Sequence, residues 1–211
     1  MPSATLLTLT QRLQALAQAG LAYAENSYDT ERYAEIRAIS AQIMSELSDE
    51  PLEKITTLFA SETGYQTPKV DVRAVIFRGQ DEIVMVQEKT DGNRWTLPGG
   101  WADIGLTPFE VAVKEAHEES GLEVQASRLL ALLDKRKHTH PLQYAYVYKC
   151  FVRCELSGGN LLAETSETLG ARWVRQEELA TLPLSTDRVT AAQLDMLFAF
   201  ARQPDLPTIC D

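Results

Sequence analysis

Residues 98–122 read PGGWADIGLTPFEVAVKEAHEESGL, and this stretch joins a glycine-rich turn to a helix whose two ends are marked by their residues. Thr107 is placed as an N-cap and Pro108 as the first helical residue, with Glu110 three beyond the cap, where its side chain closes a capping box. Gly121 suits the left-handed position that ends a helix. The spacing predicts a helix over Pro108 to Ser120. On it Glu115, Glu118 and Glu119 stand at i, i+3 and i+4, which at about 100° per residue puts three carboxylates on one narrow face. Like charges so placed repel, and a divalent cation would relieve them. Oxygen-only donors suit Mg2+ or Mn2+. A bare E-x-x-E-E is equally the pattern of a solvated acidic face. Its position directly after a Gly-rich loop that follows a strand favours the metal reading, because such a loop lets backbone approach a metal-bound phosphate closely.

Working outward, the runs Val70 to Arg78, Glu82 to Gln87, Arg94 to Leu97, Glu123 to Asp134, Gln143 to Leu156 and Gly170 to Arg175 read as strands, with Gly79-Gln80-Asp81 and Gly158-Gly159 as turns. Gln176 to Thr181 and Asp187 to Arg202 read as closing helices, the second burying Val189, Leu194, Leu197, Phe198 and Phe200. Upstream, Ala4 to Phe59 is helical in pattern. Leu7, Leu13, Leu16, Ala17 and Leu21 mark one apolar face, and Ile36, Ile39, Ile43 and Leu47 another. Ser27-Tyr28-Asp29 reads as a turn and cap, and Ser48-Asp49-Glu50-Pro51 as the start of a third helix. The expectation is an α/β domain over 67–205, a small all-helical subdomain over 1–66, and a tail over 206–211.

The 211 residues carry a formal charge of −10, which argues against a broad basic footprint for duplex nucleic acid. No stretch reaches the roughly 18 consecutive apolar residues of a membrane span, and Met1 to Gln11 lacks a signal-peptide layout, so a cytoplasmic protein is expected. Of three cysteines, Cys150 and Cys154 lie about 13 Å apart along one strand, beyond disulfide reach, and Cys210 is in the tail. Reduced thiols fit that compartment.

Residues 100–122 resemble the box of the Nudix hydrolases, usually written G-x(5)-E-x(7)-R-E-U-x-E-E-x-G-U, where U is a bulky aliphatic. Gly100, Glu115, Glu118, Glu119, Gly121 and Leu122 fall on their expected positions. The first Glu is replaced by Leu106, the Arg by Lys114 and the internal aliphatic by Ala116. Both members of a pair that could brace the loop have therefore changed together. The likeness extends over residues 67–182, through Arg94 to Gly100, Trp173-Val174 and Glu177-Glu178-Leu179. It implies a Nudix fold, a mixed sheet between helices, with the Gly99 carbonyl and Glu115, Glu118 and Glu119 holding Mg2+ or Mn2+. A further acid from the loop before the Trp-containing strand is implied too, for which Glu164 and Glu167 are candidates.

Gly20-Leu21-Ala22-Tyr23, Tyr28 to Tyr33 and the DKRKHTHP of 134–141 are similar to a branch named for X-linked nucleoside diphosphates. That similarity implies hydrolysis of a CDP-choline or ADP-ribose type of substrate to a nucleoside monophosphate and phosphoryl-X. Trimming or decapping of RNA, or a non-catalytic nucleotide sensor, stays open beside it. Lys135, Lys137, His138 and His140, with Arg94 and Trp101, are the candidate substrate contacts, although a charge run is also ordinary solvated loop. Tyr144, Tyr146 and Tyr148 alternate on one strand face, which reads as core packing. The apolar faces of the leader exceed what a short subdomain buries, so a homodimer through the N-terminal helices is expected.

Overall fold

A computed structural model describes residues 2–48, 50–61, 63–141 and 143–211 of the chain, with the side chains of 2–4 and 61 left aside. The described residues fall into two compact units, those within Met1–Pro68 and Leu142–Tyr146 and those within Lys69–Pro141 and Val147–Asp211.

The first unit is built from α1 (Pro2–Tyr23), α2 (Ser27–Ser48) and α3 (Leu52–Ser61). Gly20 lets α1 and α2 approach, since a Cβ there would lie 2.4 Å from the ring of Tyr33. Ser27-Tyr28-Asp29, expected to be a turn, forms the first turn of α2 instead. Asn26 is the cap, its Oδ1 accepting from the Asp29 N–H at 2.9 Å while its Nδ2 donates to the Asp29 carboxylate at 2.7 Å. Leu52 begins α3 soon after Pro51; Asp49 of the expected helix start lies outside the described residues. A core of Leu7, Ala41, Met44, Ile55 and Phe59 closes the unit, with Tyr144 packed against it. The apolar face read on α1 is not the buried one. Leu7 and Ala17 are buried, but Leu13 is 40% and Leu16 64% exposed, while Thr10, Gln11, Gln14 and Gln18 point inward.

The second unit centres on β1 (Lys69–Arg78). Around it lie β2 (Glu82–Glu88), β3 (Trp95–Thr96), β4 (Gly99–Trp101), β5 (Leu122–Asp134), β6 (Val147–Gly159), β7 (Thr168–Arg175) and β8 (Ile209–Cys210), with α4 (Pro108–Ser120) and α5 (Ala191–Arg202). These strands form one mixed sheet ordered β3-β2-β1-β6-β5-β8, with β4 on β1 and β7 on β2. Side chains alternate along β1. Val72, Ala74 and Ile76 join Val111, Ala112 and Ala116 of α4, whereas Val75 joins Leu194, Leu197, Phe198 and Phe200 of α5. The sheet is thus sandwiched between one helix and the other, the mixed α/β arrangement expected. Val189 is buried with α5 but precedes it, because Thr190 supplies the cap by accepting from the Gln193 N–H.

Three local expectations are corrected. The Gly99-Gly100 segment is a strand rather than a loop, laid antiparallel on β1 with Gly100 opposite Val72. Gly158 and Gly159 end β6 opposite Glu123 and Leu122 instead of turning. At Gly159 φ is +81° and a Cβ would sit 2.4 Å from the Gly121 carbonyl, so closeness and backbone angle both demand glycine there. Tyr144 and Tyr146 precede β6, and Tyr148 is exposed, so the three tyrosines do not form one buried face. The residues read as a tail end in β8, a parallel addition to β5. Cys150 and Cys154 are buried, free and pushed up to about 11 and about 12 by desolvation.

The caps of α4 follow the sequence reading. Thr107 Oγ1 accepts from the Glu110 N–H at 3.3 Å, Glu110 Oε2 accepts from the Thr107 N–H at 2.7 Å, and Gly121 takes φ +76°. Replacing a threonine cap by alanine costs about 1 kcal/mol. Thr107→Ala is therefore expected to lower Tm by about 2–4 °C in a chain of this size, read by differential scanning fluorimetry; an unchanged Tm would mean the box is ornamental.

Candidate active site

Glu119 is placed by both ends of the strand-to-helix segment. α4 carries it under β4, where its Oε2 accepts from the Gly99 N–H at 3.0 Å. Gly99 has no room for a side chain, as a Cβ would stand 2.1 Å from the Val72 carbonyl oxygen. Gly100 is tight as well, its absent Cβ lying 3.2 Å from Glu115 Oε1. The two glycines thus let backbone press onto the two inner carboxylates. On the far side, the Thr168 hydroxyl donates to the Glu119 carbonyl at 3.1 Å and ties α4 to β7.

Desolvation pushes the Glu119 carboxyl up to about 8, and the carboxylates of Glu88 and Glu115 push the same way, against the Gly99 N–H and the Arg73 guanidinium. Glu115 is raised as well, again chiefly by burial, with Lys114 opposing it. Glu118 is exposed. Lys114 Nζ lies 3.1 Å from Asp103 Oδ2, 3.4 Å from Glu115 Oε1 and 3.6 Å from Glu118 Oε2. The bracing pair that Leu106 removes is therefore re-formed three residues earlier, between Lys114 and Asp103. Asp103 is the first cause of the raised Lys114 pKa.

A recess of about 320 Å³ is lined by Glu118, Glu119, Thr165 and Glu167 among others. Glu167 thus shares the space of the helix carboxylates. Glu164 instead pairs with Lys89 Nζ at 2.8 Å. The remaining sequence candidates are spread differently. Lys135 is buried 3.7 Å from Asp187, and Arg136 folds back on Asp134. His138 Nε2 lies 3.0 Å from the Asp211 carboxylate, and His140 Nδ1 lies 2.6 Å from the Thr186 carbonyl. Lys137 and Trp101 are exposed, and Arg94 sits 3.6 Å from Asp91. The run 134–140 is thus engaged largely with its own chain and does not present one compact basic patch.

Three residues escaped the sequence reading. Glu88, buried at the end of β2, adds a carboxylate beside Glu119 and is held by Arg188 Nε at 3.2 Å. The expected strand stopped at Gln87, one residue short. Arg73 is buried, donates from Nε and Nη2 to Asp71 at 3.0 and 2.7 Å, and donates from Nη1 to the Leu97 carbonyl at 3.1 Å. Two opposite charges at i and i+2 in the otherwise apolar middle of the strand were the available signal. Lys149, opposite Asp71 on β6, completes the cluster through its own bond to that carboxylate.

The donor set suits a hard divalent cation in its chemistry, since Glu88, Glu115 and Glu119 bring three buried carboxyl groups, all oxygen donors, to one neighbourhood. Among the described residues, no group of three or more His, Cys, Asp or Glu side chains is already gathered as a metal cage. Glu115 and Glu118 instead share the Lys114 ammonium, and Glu119 takes the Gly99 N–H.

A family profile described as the NUDIX domain matches residues 67–194, and one described as "UDP-X-like, N-terminal oligomerisation domain" matches residues 4–59. The chain belongs to the NUDIX family. A Bacillus subtilis (strain 168) protein named "Putative ADP-ribose pyrophosphatase YjhB" is 47% identical over 206 residues, 97% of this Nudix chain and 96% of the relative. A crystal structure of an ADP-ribose pyrophosphatase from Streptococcus suis is 38% identical with a TM-score of 0.61, covering 69% of this chain and all of that one. A UDP-X diphosphatase is 28% identical with a TM-score of 0.62, covering 99% of each. Among the described residues, no helix of this Nudix hydrolase is long and apolar enough to cross a membrane.

Burial lowers the pKa of His140 to about 4, with Lys149, Lys135 and His138 adding to the effect and the bond to Thr186 opposing it. A histidine depressed from 6.5 contributes stability that is present above that value and is lost as the pH falls toward 4, because the unfolded ring takes its proton first. Proton NMR of the folded protein is expected to find the His140 ring titrating near pH 4. A midpoint near 6.5 would mean that the ring is solvated and free to meet an anion.

Proposed function

We propose that this Nudix pyrophosphohydrolase cleaves the pyrophosphate bond of a nucleoside diphosphate linked to X, giving a nucleoside monophosphate and phosphoryl-X. The observation that carries the reading is the buried pair Glu115 and Glu119, pressed against Gly100 and Gly99, both with carboxyl groups pushed up by burial. ADP-ribose is the first substrate to try, supported by the 47% identical relative and the Streptococcus suis structure; UDP-sugars follow from the UDP-X likeness, and CDP-choline from the leader.

Glu115, Glu118 and Glu119, with the Gly99 carbonyl, would hold Mg2+ or Mn2+, which when bound neutralises charge on the pyrophosphate oxygens. The chain's own part is positional. The Gly99 N–H fixes the Glu119 carboxylate, and β4 keeps water from its buried side. Glu167 stands in the same recess with an exposed carboxylate that can accept the proton of an attacking water at an Oε atom. Glu164, tied to Lys89, is the weaker acceptor. Lys135, Lys137, His138, His140, Arg94 and Trp101 are proposed contacts for the nucleotide or X, to be sorted by KM.

Phosphorus NMR of the products tests this. With Mg2+ or Mn2+, AMP and ribose phosphate are expected from ADP-ribose, with turnover falling by about 10²-fold or more in Glu119→Gln, since losing a metal-held carboxylate removes several kcal/mol of transition-state stabilisation. No metal-dependent turnover of ADP-ribose, UDP-glucose or CDP-choline would contradict the proposal.

The helical unit is proposed to make a homodimer. Leu6, Leu9, Leu13 and Leu16 run along α1 at spacings of three and four, all 40% exposed or more, while the same helix buries glutamines. A stripe of that kind calls for a second apolar surface. Sedimentation is expected to show a dimer at micromolar concentration and a monomer for Leu13→Glu; a monomeric parent chain would sink the idea.

A further inference from the structure

The helical unit contains a cavity of about 180 Å³ that shares no residue with the carboxylate site. Its walls are apolar and aromatic, with Met44, Phe59 and Tyr144 among them. Its polar atoms are unusual. Gln14 is 1% exposed, and neither Nε2 nor Oε1 of its amide has a hydrogen-bond partner among the described residues. Gln11 is 7% exposed; its Nε2 donates to the Gln143 and Tyr144 carbonyls at 2.9 and 3.2 Å, which fixes the amide, and its Oε1 is left without a partner. Gln66 adds a third oxygen without a partner among the described residues. A buried polar group left unmade costs roughly 1–3 kcal/mol, so the whole Gln14 amide and the Gln11 oxygen, both lining one apolar cavity, call for something to pair with.

The chemistry of the partner follows from the atoms. A primary amide offering a donor and an acceptor side by side is completed by another donor and acceptor in one plane, as on a carboxamide or the edge of a pyrimidine base. The size agrees, since a dry cavity of about 150 Å³ holds benzene, so this one accommodates a single six-membered ring. Exposed Arg12 also lines the cavity and offers a cation to any anionic substituent.

We propose that this cavity is a second ligand site, taking one six-membered ring that carries an amide-like edge and pairs with the Gln14 amide. Uracil represents the pyrimidine source and nicotinamide the carboxamide source, and benzene is the ring without the edge. The proposal stands apart from the hydrolase reading, and its test uses no turnover.

The full-length protein, labelled with 13C at the methionine methyls and kept in EDTA, is titrated with each probe. Met44 lines the cavity, whereas Met85 and Met196 belong to the sheet unit. The expected result is a saturable shift of the Met44 methyl with uracil or nicotinamide at a Kd of order 1 mM, a weak affinity proper to so few atoms. Met85 and Met196 should stay still, and benzene should bind at least about tenfold more weakly. Whichever probe saturates first names the source. Gln14→Leu should abolish the shift, and Glu119→Gln should keep it. No Met44 shift with either amide probe, as expected if water or a second copy of the chain occupies the cavity, would overturn the proposal. So would benzene binding as well as the amides. If Gln14→Leu does not fold, the comparison with benzene in the parent protein decides alone.

Discussion

The hydrogen bond from the Gly99 N–H to the Glu119 carboxylate, made inside the protein at 3.0 Å, sets the terms for the rest of the sheet unit. It needs backbone where a side chain would ordinarily stand, so position 99 is glycine and lies against the Val72 carbonyl. It needs α4 to begin and end at fixed places, which the Thr107 box and the left-handed Gly121 provide. It also needs β4 to be held flat on β1. The Ala74 N–H donates to the Pro98 carbonyl and the Ala102 N–H to the Val70 carbonyl, both at 2.8 Å, clamping β4 from either end.

A carboxylate in that position is costly, and the surrounding charges are arranged to limit the cost without cancelling it. Arg73 is near enough to favour the charged form of Glu119, but its guanidinium is already bonded to Asp71, which also takes the Lys149 ammonium. Glu88 is matched by Arg188, and Glu115 and Glu118 share Lys114 with Asp103. Glu119 keeps a backbone donor and a partly engaged cation, which do not offset its burial, so its carboxyl is pushed up to about 8. A carboxyl shifted this far by burial beside other acids, at a strand-to-helix junction, marks a candidate functional position.

Much of this was legible because it is local. Thr107, Pro108, Glu110 and Gly121 each act within one turn of chain, so their types alone fix the helix and the face that carries Glu115, Glu118 and Glu119. Glycine was harder to read. Gly158-Gly159 resembles a turn by composition, yet Gly159 answers the close approach of Gly121 and Leu122 and Gly158 that of the Glu123 side chain, contacts distant in sequence. The α1 face was misjudged for a related reason: periodicity finds the leucines but not the side that the rest of the unit covers, and here the glutamines are covered. Glu88, Arg73 and Asp103 belong to the site by tertiary placement, and the exchange of a Glu–Arg pair for Asp103 and Lys114 shows up only when loop and helix are side by side.

If Glu119 helps to hold the proposed divalent cation, removing its charge weakens the binding of that cation. Calorimetric titration of Mn2+ into the substrate-free protein and into Glu119→Gln tests this directly. Saturable binding to the parent chain is expected, weakening by at least about tenfold in the variant, with the fold of both verified by circular dichroism. Equal Mn2+ affinity in the two proteins would contradict it and would return Glu119 to the role of a buried acid that merely fastens Gly99.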